Sequence, residues 1–193
     1  MRRMGQALKT VGGWPRRLGN EGVSLLELVA AVAVLALLVG LAAPNFLTMM
    51  SRSQVDAASR QLLSDVRRAR SLAITQGWEY KVLGFNAGAD SPFANQYRIL
   101  ARSPGQPWPD ETAAPFQNAT QIAGPWVNVN NEYPGARINP DDFDGTRRFW
   151  VAFNARGVRI ELDDSFNPLF ISDGSGSVQR AMAVSLPGVV TIQ

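Results

Sequence analysis

Residues 22–50 read GVSLLELVAAVAVLALLVGLAAPNFLTMM, and this stretch decides how the chain folds. Glu27 stands near its start, and the next charged side chain is Arg52. The 23 residues from Leu28 to Met50 would form a helix of roughly 35 Å, which is enough to cross a hydrocarbon core of about 30 Å. We therefore predict a membrane-spanning helix over residues 23–50.

Basic residues are concentrated ahead of this helix. Residues 1–22 hold five of the 19 Lys and Arg residues but only one acidic residue, Glu21. The remaining residues hold 14 basic and 15 acidic side chains, so the net charge of +3 comes from the first 22 residues. Positive charge beside a membrane helix stays on the cytoplasmic side. The charge therefore indicates orientation rather than an anionic partner, and we expect the rest of the chain to be exported.

Length and charge alone leave several interpretations of the apolar segment open. A plain transmembrane anchor fits, and so does a secretory signal peptide cleaved near Ala42 and Ala43. Neither explains Glu27, because a carboxylate in a bilayer costs about 2.5–3.5 kcal/mol and usually has a partner and a function. Alternatively, Glu27 lies close to the membrane interface, where it costs little.

The order of these residues resembles a known export signal. The sequence GVSLLE at residues 22–27, followed by an apolar helix that contains Pro44, is similar to the amino-terminal signal of type IV pilins and type II secretion pseudopilins. Glu21 departs from that family, which usually has Lys or Arg there, and Val23 stands where Phe is commoner.

The resemblance implies specific processing and assembly. A prepilin peptidase would cut between Gly22 and Val23, so that residues 1–22 are a prepilin leader, and would methylate the new amino group of Val23. Glu27 would pair with the terminal amine of a neighbouring subunit, which would offset the cost of burying both charges. Pro44 would loosen the helix in a filament.

An amphipathic helix is predicted to follow, over residues 51–77. Residues 51–76 contain no Gly or Pro, and Gly77 is a typical helix stop. Apolar residues recur there at spacings of three and four, which is typical of a helix that packs on a core. The stripe comprises Val55, Ala58, Leu62, Val66, Ala69 and Ala73, widened by Leu63, Leu72 and Ile74.

The predicted helix carries a cluster of three arginines, Arg67, Arg68 and Arg70. A basic cluster can contact nucleic acid or lipid headgroups. We interpret these arginines instead as a solvated face that is partly paired with Asp65.

Short β-like runs begin at Trp78, and residues 78–193 are predicted to form a β-rich domain. Hairpins are expected around residues 154–156 and at Pro187-Gly188, where a type II turn is favoured. Residues 102–147 are rich in Pro, Gly, Asn and Asp, with short runs such as residues 126–129, and this stretch is long for a compact domain. A long helix followed by antiparallel strands predicts an α+β fold, in which the helix packs on an antiparallel β-sheet. The strand runs are residues 79–85, 96–101, 148–153, 157–162, 168–171, 181–186 and 189–192.

This part of the chain has its own family resemblance. Residues 58–74, the FNARG hairpin at residues 153–157 and residues 180–192 are similar to the GspH/FimT pseudopilins. The resemblance implies a type IV pilin-like fold. Residues 86–147 show no such likeness.

Composition excludes much of enzyme chemistry. Without Cys or His, the chain has no disulfide, no thiolate nucleophile and no imidazole base or ligand. A serine nucleophile would need Lys81 as its base, since Lys81 is the only lysine after residue 22. We predict no catalytic residues, no resident metal and no cofactor. A membrane-anchored enzyme is therefore the least favoured class.

Three possible binding motifs are not favoured. The acidic segment Asn139–Gly145 is oxygen-rich, as calcium sites are, but it lacks the EF-hand spacing and is interpreted as a turn. Asp173–Ser177 lacks the lysine and following helix of a phosphate-binding loop. DNA uptake would need a basic patch, but Ala181–Gln193 is uncharged and acidic residues follow the nearest cations. Those cations are Arg147, Arg148, Arg156 and Arg159.

The resemblance therefore implies a structural protein of the bacterial inner membrane. It would be a minor pseudopilin of a type II secretion system, with a single membrane span and its carboxy-terminal domain in the periplasm. The alternative is a minor pilin of a type IV pilus, which primes assembly or takes up DNA. The expected partners are other filament subunits, the prepilin peptidase and the inner membrane, while nucleic acid is not expected.

Overall fold

The computed structural model describes residues 23–89, 91–111, 115–117, 119–138, 147–162 and 168–192. Its first element is helix α1, Leu25–Gln76, whose 52 residues span roughly 80 Å at about 1.5 Å per residue. The helix stops at Gly77, which has a left-handed φ of 71° and donates its N–H to the Ala73 carbonyl at 3.1 Å. The described chain divides into two units between Ala43 and Pro44, and the second unit comprises the described residues from Pro44 onward.

The second unit contains two antiparallel β-sheets and a short helix, α2 (Val129–Glu132). The first sheet has the strand order β3-β4-β2-β1-β7-β8, with β5 also paired to β2, and the second has the order β11-β10-β9-β6. The strands of the first sheet are β1 (Glu79–Phe85), β2 (Gln96–Arg102), β3 (Phe116–Gln117), β4 (Gln121–Ala123), β5 (Val127–Asn128), β7 (Arg148–Phe153) and β8 (Arg159–Leu162). The strands of the second sheet are β6 (Ala136–Ile138), β9 (Leu169–Asp173), β10 (Gln179–Val184) and β11 (Val190–Ile192).

The predicted α+β class is confirmed, because the carboxy-terminal part of α1 packs on these sheets around one core. Val82 of β1 faces Ile99 of β2 and Val151 of β7 across the ladder, and this row lies in or against the core cluster that includes the helix stripe. All six residues of the predicted stripe are buried. Ile74 is the exception to the wider stripe, since it is 52% exposed.

The described part of residues 102–147 contains short elements within a mainly irregular stretch, and the short run at residues 126–129 includes strand β5. This segment contains strands β3 to β6 and the single turn of α2. Each of these strands has only two or three residues, which is too short for an alternating apolar pattern to be recognised. Their pairing with longer strands holds them in place, as where Leu100 of β2 faces Ala123 of β4.

Candidate functional site

The amino-terminal end of α1 has the features of a capped helix. Ser24 precedes the first helical residue, and its hydroxyl oxygen accepts the N–H of Glu27 at 3.2 Å. The Ser24 carbonyl accepts the N–H of Leu28 at 3.1 Å. A serine followed by a glutamate three residues later is a typical start for a helix, and the acidic side chain favours the positive end of the helix dipole. Val23 is 70% exposed, and Gly22 lies outside the described residues.

The carboxylate of Glu27 has no partner within the described part of the chain. Glu27 is exposed, and every described side chain from Val23 to Leu41 and from Asn45 to Met50 is exposed with it. Among the described residues, α1 is the one helix long and apolar enough to cross a membrane by length and composition. A helix that is apolar on all sides is stable only when lipid or protein surrounds it. The site therefore combines one unpaired charge with an uncovered apolar helix.

Pro44 lies inside α1, and the helix continues through it. Proline has no N–H, so the carbonyl of Gly40 loses the hydrogen bond that it would otherwise accept from position 44. A Cβ placed on Gly40 would have no neighbouring atom within 4 Å. A missing hydrogen bond and a glycine one turn apart are typical of a helix segment that bends readily.

Arg67 and Arg68 are exposed, as the interpretation of a solvated face predicts, but the predicted pairing with Asp65 is not observed among the described residues. The Asp65 carboxylate accepts instead from the Tyr97 hydroxyl at 2.6 Å and from Gln61 at 3.1 Å. Arg67 donates to the Val190 carbonyl at 3.3 Å. Arg70 donates to the carbonyls of Gly157 and Pro187. Arg67 and Arg70 therefore fasten the helix to the sheets.

Arg70 holds two β-turns together. Its Nε donates to the Gly157 carbonyl at 2.9 Å, and its Nη2 donates to the Pro187 carbonyl at 2.9 Å. Gly157 belongs to the β7–β8 hairpin turn and Pro187 to the β10–β11 hairpin turn. We call these two turns, residues 154–158 and 185–189, the turn pair.

The two turns have the same hydrogen-bond pattern. In the first, Gly157 donates to Asn154 at 2.8 Å, and in the second, Gly188 donates to Ser185 at 2.9 Å. Both glycines have left-handed φ values, 72° and 79°. The expected type II turn centred on Pro187-Gly188 is therefore wrong, because Gly188 follows the turn as the left-handed residue of a bulged hairpin. The recurring spacing of Asn or Ser with a glycine three positions later could have revealed this similarity in the sequence.

Lys81 is not available as a catalytic base. It is 7% exposed and forms an ion pair with Glu161 at 3.1 Å, while its ammonium group lies 4.6 Å from the ring centre of Trp108. Burial raises the pKa of Glu161, but hydrogen bonds from Trp108 and Lys81 and the nearby cations outweigh burial, so that the pKa is lowered overall. Lys81 therefore stabilises the first sheet through its contacts with Glu161 and Trp108.

A cavity of about 350 Å³ lies between α1 and the first sheet. Two tyrosines and an arginine that line it are each held by hydrogen bonds. Tyr97 is bonded to Asp65, and Tyr80 donates to Gln76 at 2.6 Å. Burial raises the pKa of Tyr97, and the bonded Asp65 raises it further. Arg98 donates to the Gly124 carbonyl from two nitrogens, at 3.0 and 2.7 Å, and its burial lowers its pKa.

Asp173 closes the β9–β10 turn, because its carboxylate accepts from Ser175 at 2.9 Å and from Ser177 at 2.8 Å. The acidic segment 139–145 lies outside the described residues. Among the residues described, no group of three or more acidic side chains could hold a metal ion.

The four arginines considered for DNA binding do not form one patch of free cations. Arg147 donates to the Gly88 carbonyl at 2.7 Å, and Arg148 pairs with Glu111 at 2.7 Å. Arg159 donates to the Val184 carbonyl, and Arg156 is exposed in the first turn of the turn pair.

Comparison with known proteins gives likeness of structure only. No family model and no curated protein sequence matches the chain. The chain is similar in structure to a solved minor pilin and to a solved minor pseudopilin. The type IV minor pilin FimU of Pseudomonas aeruginosa is 13% identical, with a TM-score of 0.40 over 72% of this chain and 91% of FimU. The minor pseudopilin EpsH from the type 2 secretion system of Vibrio cholerae is 10% identical, with a TM-score of 0.41 over 72% of this chain and 96% of EpsH.

Proposed function

We propose that this chain is a pilin-like structural subunit that is stored in a membrane and then packed into a filament. The observation behind the proposal is the Glu27 carboxylate, which has no partner among the described residues at the head of an uncovered apolar helix. A second subunit supplies what this end lacks, because a neighbouring terminal amine neutralises the carboxylate and neighbouring helices cover the apolar surface. In this proposal the chain assembles and catalyses nothing.

The proposal includes maturation at the site that the sequence predicts. A prepilin peptidase removes residues 1–22 by cutting between Gly22 and Val23 and methylates the amine of Val23. Cleavage leaves Val23 as the first residue. Each subunit then carries its terminal amine and Glu27 at the same end of its helix, where the amine can pair with Glu27 of a neighbouring subunit. The helix segment around Pro44, which bends readily, then lets α1 change its curvature when the subunit leaves the bilayer for the filament.

Our preferred assignment is a minor pseudopilin of a type II secretion system, anchored in the bacterial inner membrane with residues 51–193 in the periplasm. The alternative is a minor pilin of a type IV pilus. Deleting the gene in its own host distinguishes the two, since loss of extracellular protein export with intact surface pili supports the secretion role. Loss of pili with normal export would reverse the assignment.

Two substitutions at Glu27 test the assembly role. Glu27→Gln removes the charge and keeps the shape, whereas Glu27→Asp is the matched control that keeps the charge. We expect both variants to be processed, and we expect Glu27→Gln to be recovered in sheared or cross-linked filaments at least about tenfold less than the parent chain. Glu27→Asp should retain part of the incorporation. Wild-type incorporation of Glu27→Gln would overturn the charge-pairing role.

A further inference from the structure

The exposed large hydrophobic side chains of the second unit gather in one place. Among the described residues after Met50, five such side chains are exposed, and all lie in the turn pair or directly beside it. Leu186 is 69% exposed and Val189 is 51% exposed. We call the set the turn patch; its members are Ile74, Val158, Ile160, Leu186 and Val189.

Contacts bring the two turns and the end of α1 close together. A Cβ placed on Gly157 would lie 2.6 Å from Cδ1 of Ile74, and one placed on Gly188 would lie 2.5 Å from the Gly157 carbonyl oxygen. The Leu186 carbonyl accepts the N–H of Arg159 at 3.3 Å. A hollow of about 270 Å³ lies beside Ile74 and Val189. The two glycines thus allow the two turns and the end of α1 to approach one another closely.

Four arginines of the described part of the chain lie at or beside the turn patch. Arg67, Arg70 and Arg159 donate to neutral carbonyl oxygens, and Arg156 is exposed beside Val158. Within the described part of the chain none of these four arginines forms an ion pair with a carboxylate. By contrast, Arg102, Arg148 and Arg180 each lie within 2.7 Å of a carboxylate oxygen.

We propose that the turn patch binds a protein segment whose apolar side chains are flanked by aspartate or glutamate. Exposed apolar side chains with a polar rim are typical of a protein-binding site. The arginines beside them, which have no carboxylate partner among the described residues, favour an acidic partner and would repel a basic one. The exposed side chains are aliphatic, whereas single-stranded nucleic acid is bound by stacking on aromatic rings. This inference does not depend on filament assembly, and its test does not require any filament.

A charge series of peptides tests the proposal on the whole chain. The chain is placed in nanodiscs of neutral phosphatidylcholine, and the probes are three fluorescent peptides with one leucine pattern and flanking Glu, Gln or Lys. A single-stranded oligonucleotide is the fourth probe. We expect the Glu peptide to bind at least about tenfold more tightly than the Gln peptide, with the Lys peptide weakest. The preference should shrink when salt is raised.

Variants locate the binding to the turn patch. Leu186→Ser with Val189→Ser should abolish binding of the Glu peptide, and Arg67→Gln with Arg156→Gln should remove the preference for it. Arg68→Gln is the matched control, since Arg68 is exposed on the same helix but lines the other cavity. Equal affinity for all three peptides, or no binding, would overturn the proposal. The proposal would also be overturned if Arg68→Gln reduced the preference for the Glu peptide as much as Arg67→Gln with Arg156→Gln does. It would be overturned, too, if the oligonucleotide bound more tightly than the Glu peptide and Arg67→Gln weakened that binding.

Discussion

The Nε atom of Arg70 lies 2.9 Å from the carbonyl oxygen of Gly157, a residue 87 positions further along the chain. The same guanidinium reaches Pro187 at 2.9 Å, so one helix side chain fixes two hairpin turns. Arginine suits this role because its planar fork directs several N–H groups at once. The contact explains how the end of α1 positions the turn pair and, with it, the exposed turn patch.

Replacing Arg70 should therefore destabilise the second unit. Arg70→Gln removes two hydrogen bonds from a charged donor, and we expect a loss of about 1–2 kcal/mol in the free energy of unfolding. Arg70→Lys should lose less, because a single ammonium keeps the charge but not the fork. Urea unfolding measures both, with Arg68→Gln as the control expected within about 0.5 kcal/mol of the parent. An Arg70→Gln chain as stable as that control would show that Arg70 does not hold the turns.

The close approach of the two turns predicts an unusually large effect at Gly188. Alanine there would have a left-handed φ of 79° and a Cβ 2.5 Å from the Gly157 carbonyl oxygen. Gly105 has a similar φ of 81° and no atom within 4 Å of a Cβ. Gly105→Ala should cost about 1 kcal/mol from backbone strain alone, and Gly188→Ala about 1–3 kcal/mol more from the clash. Equal losses in thermal or urea unfolding would contradict the contact between the turns.

The hydrogen bond from Tyr97 to Asp65 should contribute to stability at neutral pH. Tyr97→Phe removes the donor 2.6 Å from the carboxylate and leaves Asp65, which is only 9% exposed, with Gln61 as its remaining side-chain partner. We expect a loss of about 1–3 kcal/mol, because a buried acceptor then lacks one of its bonds. Ser64→Ala is a suitable control, since Ser64 is exposed on the same helix.

The same pair gives the folded state a dependence on alkaline pH. Burial and Asp65 raise the pKa of Tyr97 above its ordinary value of 10.0. Well below that value both the folded and the unfolded chain keep the proton, so the contribution of Tyr97 to stability does not change with pH. Above it the unfolded chain releases the proton and the folded chain does not, so stability falls by up to about 1.4 kcal/mol per pH unit. Urea unfolding between pH 8 and 11 should show a shallower fall in Tyr97→Phe; identical slopes would refute the coupling.

The strongly periodic parts of the fold could be predicted from the sequence. The stripe from Val55 to Ala73 and the strands flanking residues 154–156 follow from apolar spacing and turn chemistry, which are local properties. Glu27 could likewise be singled out, because a carboxylate at the head of a long apolar run is unusual wherever it occurs.

Long-range contacts could not be predicted in the same way. The hydrogen bonds of Arg67 and Arg70 could not be predicted because the carbonyl groups that accept them belong to strands and turns more than 80 residues away. Ile74 fits the helical stripe in spacing, yet the turn pair leaves it at the surface. The short strands β3 to β6 depend on longer partners and have too few residues for a pattern of their own.

The intact mass of the mature chain, purified from its own host, tests the central claim most directly. The prepilin interpretation predicts that residues 1–22 are missing and that the remaining chain, beginning at Val23, is heavier by one methyl group. A chain that keeps residues 1–22, or that begins after Ala43, would contradict the claim that it matures as a pilin-like subunit.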